Sequence, residues 1–338
     1  MEFTNNYKET PVIFGLLDQN DTTHYIKINR GYLGPGDALE FAKIADSNYF
    51  ENVYATITEY IDGVQSGEPI ELIKDTLNNK STDGIFFGPE HYAYRFDKVL
   101  NPEATYRLYV NINEGTVEVV GETNVVDGVG LSSNINKDHN SLKFYNDQNE
   151  GAFVPYAIQF SRGTSFVGNA TAVIEIAEFR GTDAELISIP WNIEGDVAPD
   201  GNDYNVTAQG QNFYETILNG VTDDATITKR RFEGFKFIYT GGNEDLENYI
   251  QVNKPSSSLA QTRPNYTNLT ASIGFEVIGL FASRQTFVLD KPFLKPGQQG
   301  VRSLDKKSTK ELCQGTITGN LLFCSQHVGD QGESYKCP

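Results

Sequence analysis

The chain reads as a mainly β protein, and three observations predict it. It holds 21 Phe and 18 Tyr against one Met and one Trp; aromatic residues with Val, Ile and Thr are what a half-buried pleated surface selects. Its first third divides into short strand-like runs separated by Gly, Asn and Asp. One run alternates cleanly, with Tyr106, Leu108, Val110 and Ile112 on one face and Arg107, Tyr109 and Asn111 on the other, so one face belongs to a core.

In order, the runs are PVIFGLL, HYIKINRGYL, NVYATITEYI, PIELIKD, GIFFG, HYAYRFD, TYRLYVNI and VEVVGET. Turn chemistry falls between them at Asp62-Gly63, Ser66-Gly67, Asp83-Gly84 and Glu114-Gly115, and Asn101-Pro102-Glu103 starts a turn before the alternating strand. Short strands at this spacing predict an immunoglobulin-like β-sandwich over residues 1–125. One insertion breaks the pattern. Gly34-Pro35-Gly36 leads into a short helical turn over Asp37 to Ile44, with Asp37 as cap and Glu40 placed for a box-like arrangement. It reads as a surface helix at the sandwich edge.

Residues 124 to 150, rich in Asn, Ser, Gly and Asp, form the expected boundary. A second β-rich domain with short helices is expected over 126–296, from the runs FVPYAIQFSR, ATAVIEIAEFRG, LISIPWNI and ITKRRFEGFKFIYTGG. Its helices are expected at Asn212 to Asn219 and Glu244 to Val252. After the latter comes a polar loop, Pro255 to Thr270, then a Gly-punctuated apolar strand ending in Phe281-Ala282-Ser283-Arg284. Segment 240–293 reads as closing the second module, with the loop a candidate docking surface. Residues 297–338 are expected to be a weakly structured tail with a short helix in LDKKSTKEL.

That tail carries all three cysteines, Cys313, Cys324 and Cys337. In an oxidising compartment the expected bridge is Cys313–Cys324 or Cys324–Cys337, leaving one thiol. Zinc would need His327 as fourth ligand, and the spacing lacks the close Cys pair of zinc modules.

Forty-five acidic residues against 27 basic ones give a net charge of −18, which opposes contact with nucleic-acid phosphates. The basic triplet Lys229-Arg230-Arg231 reads as a solvated edge. The start, MEFTNNYKET, shows no signal-peptide pattern, and no apolar run approaches the ~20 residues that span a bilayer. A cytoplasmic protein or one whose export signal has been removed would both read this way.

Tests for chemistry return no constellation. Neither phosphate-binding glycine motif occurs. Gly163-Thr164-Ser165 is not a nucleophile elbow, and the SxxK at Ser303 to Lys306 lacks companions. His24, His91, His139 and His327 are not spaced as a metal motif, with His24 and His91 expected to be structural. Glu175 and Glu178 fall on opposite faces of a strand. The Asp-rich turns at Asp18 to Asp21 and Asp196 to Asp203 gather calcium-type oxygen ligands but suit Asx-turns. Sequons stand at Asn20, Asn79, Asn169, Asn205, Asn265 and Asn268. Phe86, Phe87, Tyr92 and Tyr94 offer a carbohydrate platform or, more simply, alternating strand faces. No catalytic, cofactor-binding or metal residue is assigned.

ETPVIFGLLDQNDTTHYIKINRGYLG, VYATITEY, GIFFGPEHYAYRF, TYRLYVNINEG, ITKRRFEGFKFIYTGGNEDLENYIQVN, YTNLTASIGFEVIGLFASR and LLFC together resemble the Bacteroidota cell-envelope (outer-membrane) lipoproteins of unknown function often encoded near TonB-dependent receptors. The resemblance extends to about residue 325. It implies export, an N-terminal lipid anchor on a cysteine, and residence at the outer membrane on its periplasmic or surface face. No such cysteine stands near Met1. The expected role is non-catalytic, as an accessory or binding partner of an outer-membrane transport system. The partner would be an outer-membrane receptor or another envelope protein; the alternative is a surface carbohydrate-binding or adhesive protein.

Overall fold

The computed structural model describes residues 9–31, 37–78, 80, 87–131, 141–147, 151–197, 199–254, 265–294 and 302–338. Its first elements are β1 (Thr10–Asp18), β2 (Thr23–Gly31), α1 (Ala38–Ala42), α2 (Ala45–Asn48), β3 (Val53–Ile61), β4 (Val64–Glu71), β5 (Ile73–Leu77), β6 (His91–Asp97), β7 (Thr105–Ile112) and β8 (Val117–Asn124). The middle of the chain adds β9 (Gly130–Leu131), β10 (Tyr145–Asn146), β11 (Ala152–Phe153), β12 (Tyr156–Ser161), β13 (Val167–Arg180), β14 (Asp183–Val197), β15 (Asp203–Ala208), α3 (Gly210–Gly220) and β16 (Lys229–Gly242). The last are α4 (Glu244–Asn253), β17 (Leu269–Ala271), β18 (Ile278–Pro292) and α5 (Lys306–Gln314). The mainly β fold with short helices is thus present.

The chain divides into two compact units, but not as two successive blocks. The first comprises Met1–Asp127, Thr164–Val167 and Gly242–Gln285; the second comprises Gly128–Gly163, Gly168–Gly241 and Thr286–Pro338. The expected boundary at 125 lies beside Asp127. The expected contiguous domain over 126–296 is corrected, because 242–285 folds with the N-terminal strands.

The first unit is an immunoglobulin-like two-sheet sandwich. One sheet runs β5-β6-β2-β1 and then the first half of β18, and the other runs β4-β3-β7-β8-β17. Ile13, Leu17, Ile26, Ile28 and Phe281 from the first sheet meet Ala55, Ile57, Tyr106, Leu108, Val110 and Val119 from the second in one buried cluster. The alternation predicted for β7 holds, since its four inward side chains are fully buried.

Residues 242–285 of segment 240–293 therefore close the first unit, and only 240–241 and 286–293 belong to the second. β18 pairs parallel with β1, Val12 opposite Ile278 through Asp18 opposite Arg284, and β17 pairs antiparallel with β8. Side chains fix that register. The Asn268 amide donates to the Phe281 carbonyl at 2.7 Å and accepts from its N–H at 3.0 Å, while the Ser283 hydroxyl donates to the Asn124 carbonyl. Gly279 has φ +129°, and a Cβ there would enter the Ile13 backbone.

The second unit holds the sheet β14-β13-β16 with the second half of β18, a three-stranded sheet β15-β12-β9 and the small pair β10-β11. Its core is aromatic: Phe144 stacks on Phe213 with centroids 4.9 Å apart and meets Trp191 edge-on at 5.7 Å. The Trp191 indole N–H donates to Asn212 Oδ1 at 2.6 Å.

The expected weakly structured tail is also corrected for its described part, 302–338. Asp305 caps α5 by accepting from the Ser308 N–H. The Ser308 hydroxyl in turn accepts from the N–H groups of Phe144 and Tyr145, fastening the helix to the aromatic core. Cys324 and Cys337 form a disulfide, one of the two expected pairings, and Cys313 is a buried thiol. Asp330, fully buried, accepts both guanidinium arms of Arg302 and a bond from the Ser325 hydroxyl.

Candidate functional site

The site is built on the outer face of the first unit's β1-containing sheet. β1 turns Ile13 and Leu17 into the core, which sends Phe14 and Leu16 to the other face, 37% and 36% exposed. β2 repeats the division, with Ile26 and Ile28 inward and Tyr25, Lys27 and Asn29 outward. An apolar residue on both faces of one strand needs cover on both, and two helical segments supply it.

α4 brings Leu246 and Tyr249 over the sheet, and Tyr249 meets the Phe14 ring edge-on at 5.9 Å. Between helix and sheet lies a cavity of about 560 Å³, lined by Phe14, Leu16, Tyr25, Leu77 and Leu280 as well as Lys27 and His91. α1 and α2 cover a second cavity of about 500 Å³ beside Val12, Phe41, Tyr49, Asn29, Arg30 and Lys80. Phe14 and Lys27 line both. Volumes of this size, with apolar walls and few polar groups, are those of small-molecule sites.

The polar groups here are mainly basic, against the chain's −18. Lys27 reaches the Tyr92 carbonyl at 3.4 Å and, among the described residues, meets no carboxylate at ion-pairing distance. Burial, and then the charge of Lys80, lower its pKa to about 8. Burial and the Lys27 charge likewise lower His91. Arg30 is engaged, donating to Glu9 Oε1 at 2.9 Å and to the Asp46 and Ser47 carbonyls. Among the described residues, buried Asn29 Oδ1 has no hydrogen-bond partner.

Other residues weighed from the sequence have structural roles. His24 is buried, bonds the Lys98 carbonyl at 3.0 Å and packs on Phe96, as expected. His91 lines the larger cavity, with its Nδ1 3.4 Å from the Pro89 carbonyl. His327 is buried in the tail, where its Nδ1 accepts from the Gly329 N–H; His139 lies outside the described residues. Asp18 forms an Asx-turn with the Asn20 N–H and pairs with Arg284 at 3.1 Å. The side chains of 194–198 lie outside the described residues, and among the described ones no group of three His, Cys, Asp or Glu converges on a metal position.

In the SxxK segment, Ser303 is buried and Lys306 pairs with Glu333. Glu178 is buried and accepts from Arg230 Nε at 2.7 Å, whereas Glu175 accepts from the Ser188 hydroxyl at the surface. The solvated-edge reading of Lys229-Arg230-Arg231 is corrected at Arg230, which is 4% exposed and also donates to the Leu321 and Thr222 carbonyls. As a carbohydrate platform, the tyrosine set fails at Tyr94, which belongs to the core, and Tyr92 is engaged by Tyr49 and Lys74. Phe86 lies outside the described residues, as do 255–264 of the proposed docking loop. The described remainder is tied down, with Tyr266 donating to Asp245 at 2.6 Å.

The groove was missed in the sequence, although a signal was present. PVIFGLL is continuously apolar where a sandwich strand with one solvated face would alternate. Neither a protein-family model nor a curated protein matches the chain.

Proposed function

We propose that this protein is a non-catalytic binding protein of the cell envelope, held at the outer membrane as an accessory to a transport system there. The observation that carries the binding role is the covered groove on the outer face of the first sandwich sheet: apolar, of ligand size, and basic within an acidic chain. A cavity of about 490 Å³ in the second unit compares poorly, because its charged walls pair among themselves, Arg231 with Glu233 and Lys236 with Asp290. The Cys324–Cys337 bridge supports placement in an oxidising compartment. The resemblance to envelope lipoproteins supports the membrane.

Fractionation of the native host, followed by affinity capture from solubilised outer membranes, tests the reading. The expected result is recovery in the envelope fraction together with an outer-membrane receptor. A cytoplasmic protein with reduced cysteines and no envelope partner would sink it.

A further inference from the structure

Lys27 and Asn29 make demands on the groove that the described fold does not meet. They stand two residues apart on β2 and so project from the same face. One places an ammonium in a largely apolar wall, and the other buries an amide oxygen with no hydrogen-bond partner. Burying a charge is unfavourable unless a counter-charge or hydrogen bonds accompany it. Around Lys27 the surroundings do the reverse, since Lys80 adds positive charge.

We propose that the groove binds a monoanionic amphipath, a carboxylate on an unbranched apolar chain of the fatty-acid type. This rests on the reading of the groove as a binding site and names its ligand. The carboxylate sits at Lys27 and Asn29. An Asn amide can present either end by rotation, so Asn29 turns its NH₂ toward the anion and donates to it beside the Lys27 ammonium. The chain lies along Phe14, Leu16, Tyr249 and Leu280, whose apolar surface is otherwise exposed to water in the larger cavity.

The head group follows from what is available. Lysine offers a compact point charge, whereas bidentate recognition of phosphate favours a free arginine fork. Arg30, the arginine at this site, already spends its donors on Glu9, Asp46 and Ser47. A carbohydrate would require several convergent polar groups, and these walls are mainly aliphatic and aromatic.

The test uses the whole chain and a neutral fluorescent probe, N-phenyl-1-naphthylamine, displaced by sodium decanoate or by decanol at pH 7. Decanoate is expected to displace the probe at a concentration lower by about tenfold or more, the worth of one hydrogen-bonded charge. Lys27→Met should bring decanoate and decanol level as displacers, and Lys27→Arg should retain part of the preference. Circular dichroism verifies that each variant is folded. Probe binding with no preference for the carboxylate would overturn the inference and leave the binding role standing; so would a preference that survives in Lys27→Met. A wild-type chain that binds neither probe nor decanoate would overturn both.

Discussion

Lys27 shows how one side chain can be held against its own solvation. Its pKa is lowered from 10.5 to about 8, chiefly by burial and then by Lys80. Between those values the unfolded chain keeps a proton that the folded chain has released, so stability rises with pH across this window. At pH 7 the charged lysine is a burden on the folded state. Lys27→Met should therefore be more stable than the parent to urea at pH 7, with the advantage narrowing by about pH 10. Equal stability at both pH values would count against a buried, repelled ammonium. This role was illegible in HYIKINRGYL, where Lys27 fits the polar half of an ordinary alternating strand. Only the helices laid over that face, and the neighbours Lys80 and His91, change its meaning.

Among the elements, most strands and helices were legible because periodicity and turn residues are local signals. The β7 alternation, the Asp37 cap and the helices α3, α4 and α5 all fall where the pattern places them. Glu40 departs from the box-like arrangement and pairs with Lys43 instead. What the pattern could not give was the partner of β18. Its Gly279 is read as punctuation in sequence and is, in the fold, the point where β18 meets the β1 backbone. Gly279→Ala should break the parallel pairing and destabilise by more than the ~1 kcal/mol of an ordinary Gly-to-Ala change, read by thermal unfolding. The tail misled for a different reason: around α5, the disulfide and the Arg302–Asp330 pair order it through polar and covalent ties, which leave no periodic trace. Joining residues 13 apart, the disulfide should contribute about 3 kcal/mol, so Cys324→Ser with Cys337→Ser should lower stability by that order in urea titrations. No change in the double variant would show that the ion pair and α5 suffice.

At the scale of the molecule, the boundary near Asp127 was visible as a change of composition, but the return of 242–285 to the first unit was not. Local texture does not record which distant strand completes a sheet. The practical consequence is that residues 1–127 are not a self-sufficient domain. That fragment lacks β17 and β18, leaving β8 and β1 each with an unpaired edge and the core without Phe281 and Leu269. Expressed alone it should aggregate or show no cooperative unfolding, whereas adding a linked 242–285 segment should restore a transition. A cooperative transition in the bare fragment would refute this.

The β1–β18 pairing also sets a clock. Asp18 and Arg284 are 266 residues apart, and at ribosomal speeds of about 5–20 residues per second β1 must wait roughly 13 to 53 s for its neighbour to be made. Throughout that interval an apolar strand stands open while the rest of the chain is synthesised. A chain with that schedule is suited to being kept unfolded by chaperones until synthesis is nearly complete, which is also the state in which a polypeptide can be threaded through a membrane pore.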